Sequence, residues 1–123
     1  MKPPSRYSKY KAKKTVVGDI TFDSRAEAAR YRDLLILERA GEIQDLRLQV
    51  KYVLTANGQE LKIKSAGVPK GRVVRFIADF VYVEKGKIII EDVKGMPTPV
   101  YKLKKAIMES MGYEIREHKR KGR

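Results

Sequence analysis

Asp79, Asp92 and Lys94 lie on two β-rich runs, Val73 to Glu84 and Lys87 to Lys94, joined by Lys85-Gly86. A two-residue turn there pairs Glu84 with Lys87, Val83 with Ile88, Val81 with Ile90 and, further on, Asp79 with Asp92. Directly opposite residues have Cβ atoms about 4.5 to 5.5 Å apart, so two carboxylates are expected side by side. They would stand at the end of an otherwise apolar face formed by Val81, Val83, Ile88 and Ile90. Such a pair repels itself unless a cation intervenes, and Mg²⁺ favours one or two carboxylates together with water and phosphate oxygens. Lys94 follows Asp92 by two residues and so shares its face. An ammonium at that place can orient an attacking water and offset charge growing on a phosphoryl group, which makes the trio a minimal site for phosphodiester hydrolysis. The alternative is a strand-edge Asp79 and a solvated Asp92-Val93-Lys94 alternation. Glu91 is expected on the opposite face, away from the cation.

The elements around these strands are legible from turn and cap signals. Thr15 to Phe22 reads as a short strand or hairpin about Gly18-Asp19. Ser24-Arg25-Ala26-Glu27 matches a capping box, and a helix is predicted from about Arg25 to Ala40, with Ala28, Tyr31 and Leu35 on one stripe and Gly41 as the stop. Ile43 to Leu54 is predicted to be extended. Asn57-Gly58 is a hairpin turn that would set Leu54 opposite Leu61 and Tyr52 opposite Ile63. Gly67 to Gly71 reads as a basic loop. Thr98 can cap a helix that begins with Pro99 and is closed by Gly112, and Tyr113 to Glu117 suits a last short strand. This order describes an α/β (mixed α+β) domain in which helices flank a central mixed β-sheet.

Composition limits the partners. The chain has 123 residues, 28 of them Lys or Arg against 15 Asp or Glu, a net charge of +13 and a pI near 10.0. Polyanions are the natural partner of such a chain. Residues 1–14 hold six basic residues and no acid, and 116–123 hold five basic residues and one acid, leaving 17 basic and 14 acidic residues in 15–115. The chain is therefore divided into a basic N-terminal arm (1–14), a domain (15–115) and a basic C-terminal tail (116–123). Lys9, Lys11, Lys13 and Lys14 of the arm are candidate DNA-binding residues, as are Tyr101, Lys102, Lys104 and Lys105 on the second helix, with a solvated helix face as the alternative there. Tyr7 and Tyr10 could stack on unpaired bases, or the arm could be a plain disordered tail. Cysteine is absent, which excludes disulfides and cysteine-bound zinc. The lone His118 reads as a surface residue. No apolar run suits a membrane span or signal peptide, so a cytoplasmic protein is expected.

The chain resembles the PD-(D/E)XK nuclease superfamily. Ile77-Ala78-Asp79-Phe80 is similar to its first acidic motif and Glu91-Asp92-Val93-Lys94-Gly95 to its second, with Ala78 in place of the leading proline. The likeness is nearest to small nucleases borne by phages and prophages. It extends from about Phe22 to Glu114 through Phe22-Asp23-Ser24-Arg25-Ala26-Glu27, Gly41-Glu42-Ile43, Leu46-Arg47-Leu48-Gln49 and Thr98, Tyr101 and Lys104. It implies a restriction-endonuclease-like core and adds Glu27 and the Val93 carbonyl to the metal ligands, although the capping box alone also explains Glu27. The expected activity is Mg²⁺-dependent DNA endonuclease action, with Mn²⁺ as a substitute and a branched DNA such as a Holliday junction as substrate. A homodimer is compatible with this. The competing reading is a non-catalytic basic module that binds nucleic acid on a nuclease-like core.

Overall fold

The computed structural model describes residues 14–94 and 97–119, so most of the basic arm and the last four residues lie outside it. Strands β1 (Thr15–Val17) and β2 (Ile20–Phe22) form the expected hairpin, with Gly18 at φ 62°. Helix α1 follows at Arg25–Arg39. The Ser24 side chain accepts from the Glu27 amide at 3.1 Å. At the other end the Gly41 amide donates to Glu38 and the Glu42 amide to Leu37, which closes the helix through the left-handed Gly41. The buried stripe runs through Ala28 and Leu34, with Tyr31 and Leu37 half-buried beside them; Leu34 takes the place expected of Leu35.

Strand β3 (Gln44–Val53) leads into the small hairpin β4 (Thr55–Ala56) and β5 (Gln59–Glu60), turned by Asn57-Gly58 with both residues at positive φ. Strands β6 (Lys62–Ser65) and β7 (Val68–Val73) form a second two-stranded ribbon. The long hairpin of β8 (Arg75–Glu84) and β9 (Lys87–Lys94), helix α2 (Pro99–Ser110) and strand β10 (Ile115–Lys119) complete the chain. The main sheet has the order β10-β9-β8-β3, antiparallel except where β10 lies parallel to β9.

Two sequence expectations need correction here. The segment expected as a basic loop is strand β7. Tyr52 pairs with Phe76 of β8 rather than with Ile63, although Leu54 and Leu61 do meet as expected, through a 2.9 Å backbone bond. The cause is a three-way junction. Leu54 N–H donates to Val74, Val74 N–H to Leu61 and Leu61 N–H to Leu54, each at 2.9 Å. Three ribbons (β3/β8, β4/β5 and β6/β7) radiate from this ring of bonds, so β3 runs on into one hairpin while β8 emerges from another. Strand β10 takes residues up to Lys119 into the sheet.

Helices cover both faces of the sheet. Phe80, Tyr82, Ile89 and Val93 pack with Ala28 and Leu34 of α1, while Val81 and Ile90 pack with Tyr101 and Met108 of α2. The faces exchange near the middle of β3 and β8. Leu46 and Leu48 belong to the α1 side but Val50 and Tyr52 to the α2 side, and Phe76 and Ala78 lie on the α2 side although Phe80 is on the other. Gln49, at φ 53°, marks the crossing on β3. Opposite it in the register is Asp79. No helix among the described residues is long and apolar enough to cross a membrane.

Candidate active site

The register of the β8/β9 hairpin follows the sequence expectation from Glu84↔Lys87 to Phe80↔Glu91, about a turn in which Lys85 and Gly86 adopt φ 52° and 78°. One step further the ladder stops, and carboxylates replace carbonyls as acceptors. The Asp79 amide donates to Asp92 Oδ1 at 3.0 Å, and the Val93 amide donates to Asp79 Oδ2 at 2.9 Å. The strands fork there because each aspartate holds the backbone of the other strand. A carboxylate accepting a backbone N–H is a strong, oriented contact, so both side chains are fixed.

Lys94 places its Nζ 3.1 Å from Asp92 Oδ2 and 4.3 Å from the centre of the Tyr101 ring. Tyr101 is held from below, since its hydroxyl donates to Glu117 Oε2 at 2.8 Å and Lys105 reaches the same oxygen at 3.2 Å. The Thr98 cap, which accepts from the Tyr101 amide at 3.1 Å, starts α2 at the right place for this. Glu27, in the first turn of α1, interacts with the Asp79 carboxyl. Among the described residues no hydrogen bond returns from its carboxylate to the Ser24 amide, so only half of the predicted capping box is made. Glu27 also lines a cavity of about 320 Å³ between β2, the start of α1 and Gln49.

The electrostatics of the cluster are unfavourable for its charges. Burial and the interaction with Glu27 push Asp79 up from 3.8 to about 7, against the opposing Val93 amide. Burial and the neighbouring Asp79 charge push Asp92 up to about 6, with Lys94 pulling the other way. Burial and Glu117 raise the Tyr101 hydroxyl, and the bond from Tyr101 lowers Glu117.

The structure thus brings Glu27, Asp79, Asp92 and Lys94 together. The DNA-binding candidates on α2 separate: Lys102 is exposed, Lys104 and Lys105 are half-buried, Lys105 is paired with Glu117, and Tyr101 is buried beneath Lys94. Lys14 is exposed, and Lys9, Lys11 and Lys13 lie outside the described residues. Among the described residues no group of three or more His, Cys, Asp or Glu stands in an arrangement that could hold a metal ion. The contacts above engage three of the four aspartate oxygens with amides or with Lys94.

A second charged network was missed by sequence reasoning. Glu91 has no exposed surface and lies on the α1 face, where Arg30 grips it twice, Nε to Oε2 at 2.7 Å and Nη2 to Oε1 at 3.0 Å. The Tyr82 hydroxyl donates to the same carboxylate, and Arg116 joins Tyr82 to Glu84. Glu91 raises Arg30, while burial and Glu91 push the Tyr82 hydroxyl up to about 12. The available signal was a glutamate within the run Ile88 to Val93, which demands a buried partner. Arg30, one helical turn after Glu27, supplies it.

A family model covers residues 7–121, nearly the whole chain. The chain belongs to the family described as Protein of unknown function (DUF1064). No curated protein and no solved structure matches it significantly. Membership extends the unit across all the elements that position the site, from the β1–β2 hairpin to β10. It assigns none of the site residues a role.

Proposed function

We propose that this protein is a metal-dependent endonuclease with a PD-(D/E)XK site, in which Asp79, Asp92 and Glu27 hold a divalent cation and Lys94 serves the attacking water. The supporting observation is the fork of β8 and β9, where Asp79 and Asp92 each hold the other strand, Lys94 reaches Asp92 and Glu27 interacts with Asp79 at the end of a buried ladder. The chemistry of the donor set, oxygens only, is the kind a hard cation takes, although the carboxylates would have to draw closer than they stand here to hold one. The Val93 carbonyl would be a further oxygen ligand of the same kind. Binding requires the aspartates to exchange part of their hold on the backbone for the ion. Mg²⁺, or Mn²⁺ in its place, would supply positive charge opposite the phosphoryl oxygens. Lys94, fixed between Asp92 and the Tyr101 ring, is poised to orient a water and to offset charge on the departing phosphate oxygens. The substrate is DNA, cut at a branch such as a Holliday junction, because so small a domain carries little surface for reading a base sequence.

A non-catalytic nucleic-acid-binding module is the second reading, favoured by the aspartate oxygens already being engaged by the backbone. Incubating the purified protein with Mg²⁺ or Mn²⁺ and labelled linear, flapped and four-way DNA separates the two. Cleavage by wild type and none by Asp92→Asn is expected. Equal cleavage by both proteins refutes the site, and no cleavage of any substrate with either metal leaves the binding module.

A further inference from the structure

We propose that the β6–β7 ribbon is a DNA-gripping finger that lies in the major groove of a B-form duplex and holds its phosphates. Residues 61–75 contain Lys62, Lys64, Lys70, Arg72 and Arg75 and no acidic residue. All five are exposed, and none takes part in an ion pair among the described residues. The domain between 15 and 115 has 17 basic and 14 acidic residues, so without these five its net charge is −2. Four of the five, Lys62, Lys64, Lys70 and Arg72, stand on the ribbon itself and outnumber the net +3 of the whole stretch, while Arg75 follows its root on β8.

The arrangement is unfavourable for the fold alone. A two-stranded ribbon is only marginally stable by itself, and like charges on its surface weaken it further. Its root is nonetheless fixed. Leu54 is fully buried, and Leu61 and Val74, half-buried, pack against the cluster beneath α2 and close the three-way ring of backbone bonds. The direction of the ribbon is thus set by the core while its length stands free. At Gly71, with φ 91°, a Cβ would come within 3.0 Å of Lys62 Cβ and 3.2 Å of Lys64 Cγ. The missing side chain lets both lysine stems lie across the opposite strand on one face.

The shape selects among polyanions. The major groove of B-DNA, about 12 Å wide, admits a two-stranded ribbon, whereas the A-form groove of RNA is too deep and narrow to enter. Residues 61–75 have no aromatic side chain to stack on unpaired bases, which argues against single strands. A protein strand is disfavoured by Pro69, which removes a donor from β7, and by the lysines along β6. Only the ribbon's place relative to the cut rests on the nuclease reading. From its root at Val74 to Asp79 is five residues of β8, roughly 17 Å, so the grip would fall on duplex flanking the cleaved bond.

The test is binding of the full chain to a labelled duplex in EDTA, where cleavage cannot contribute, over a range of salt. Four phosphate contacts account for a change of about 3.6 in the slope of log K against log salt, and two contacts alone for about 30-fold in affinity at 0.15 M. The variant with Lys62, Lys64, Lys70 and Arg72 all replaced by alanine should lose at least those two contacts, and the variant with Arg72→Lys and the three lysines changed to Arg should bind as wild type does. An unchanged slope in the alanine variant overturns the proposal, and so does an equal loss on RNA duplex or single-stranded DNA. Should the alanine variant fail to fold, Ala66→Cys gives an independent measurement, because the chain has no cysteine. A photo-crosslinker on that thiol, at the tip of the ribbon, should capture duplex DNA but not single strands. Absence of the duplex adduct refutes the finger. A protein that binds in this way yet never cleaves would refute the nuclease reading alone.

Discussion

Replacing Asp79 by asparagine should stabilise the metal-free protein while removing its activity. In the folded chain the carboxyl is raised from 3.8 to about 7, chiefly by burial and by Glu27. That difference corresponds to a penalty on the order of 4 kcal/mol once the group is ionised. Because the crowding is shared with Asp92 and Glu27, about 2 to 4 kcal/mol is the expected gain. Asparagine keeps an oxygen to accept from the Val93 amide, 2.9 Å away in the wild type, and its NH₂ can donate to Glu27. No buried group is left unsatisfied. At about 2.1 cal/mol/K per residue, 123 residues give an unfolding entropy near 0.26 kcal/mol/K, so the gain converts to roughly 8 to 15 °C in Tm.

The sign of the pH dependence makes the test sharp. Below 3.8 the carboxyl is protonated in both folded and unfolded chains and contributes nothing. Between 3.8 and about 7 the folded protein keeps a proton that the unfolded chain has lost, so wild-type stability falls as pH rises through this window. Above it the penalty is complete. Thermal unfolding in EDTA should show wild type and variant alike near about pH 4 and farthest apart above about pH 7. Excess Mg²⁺ should narrow the gap by stabilising the wild type, since an ion that binds only the native state adds to its stability. A variant no more stable than wild type at high pH, or a gap of equal size at low pH, refutes the account of a crowded acidic cluster.

The other contacts of the site give separate expectations. Lys94→Ala should lower the cleavage rate by about 10²-fold or more, yet leave the Mg²⁺-dependent rise in Tm in place, because the ammonium acts on the reaction rather than as a ligand. Tyr101→Leu removes the ring 4.3 Å beneath Lys94 and should slow cleavage about two- to fivefold, the equivalent of an exposed cation–π contact, while Tyr101→Phe keeps the ring and the rate. Arg30→Ala leaves Glu91 fully buried with its charge uncompensated and should cost about 3 to 5 kcal/mol in chemical denaturation, most of it recovered when Glu91 is also replaced by methionine.

The parts of the structure that depend on local signals were readable from the sequence. The caps Ser24 and Thr98, the stops Gly41 and Gly112 and the turns Asn57-Gly58 and Lys85-Gly86 all act within a few residues, and the last of these fixed the register that sets Asp79 beside Asp92. What depended on distant residues was not readable. Nothing between 50 and 75 indicates locally that Leu54, Leu61 and Val74 join in one ring of bonds, and without that ring β6 is naturally continued along β3. The alternation Leu46, Leu48, Val50, Tyr52, Leu54 predicts one buried face, but the crossing at Gln49 divides it between two. Glu91 was placed on the correct side of its strand, yet its partner is 61 residues away on α1. That pairing follows from how the helix sits on the sheet, which no short-range pattern encodes.

The two charged networks are joined by α1 and by the last rung of the ladder. Phe80↔Glu91 is the final pair before β8 and β9 separate, and Arg30 clamps that rung from the helix. One turn earlier on the same helix, Glu27 meets the forked end at Asp79. Four acids, Glu27, Asp79, Glu91 and Asp92, therefore surround the fork, against two cations that touch them. Arg30 belongs to Glu91 and Lys94 to Asp92. Glu27 and Asp79 are left facing each other with no ion-pair partner among the described residues, and burial together with Glu27 raises the Asp79 carboxyl. Asp79 keeps its proton up to about 7 in that contact, so the full charge of the cluster appears only above it. Arg30 joins the buried Ala28 and Leu34 in holding α1 to the sheet, and with it Glu27 at the fork. The clamp on Glu91 thus acts on the acidic cluster from outside it, through the helix that carries both Arg30 and Glu27.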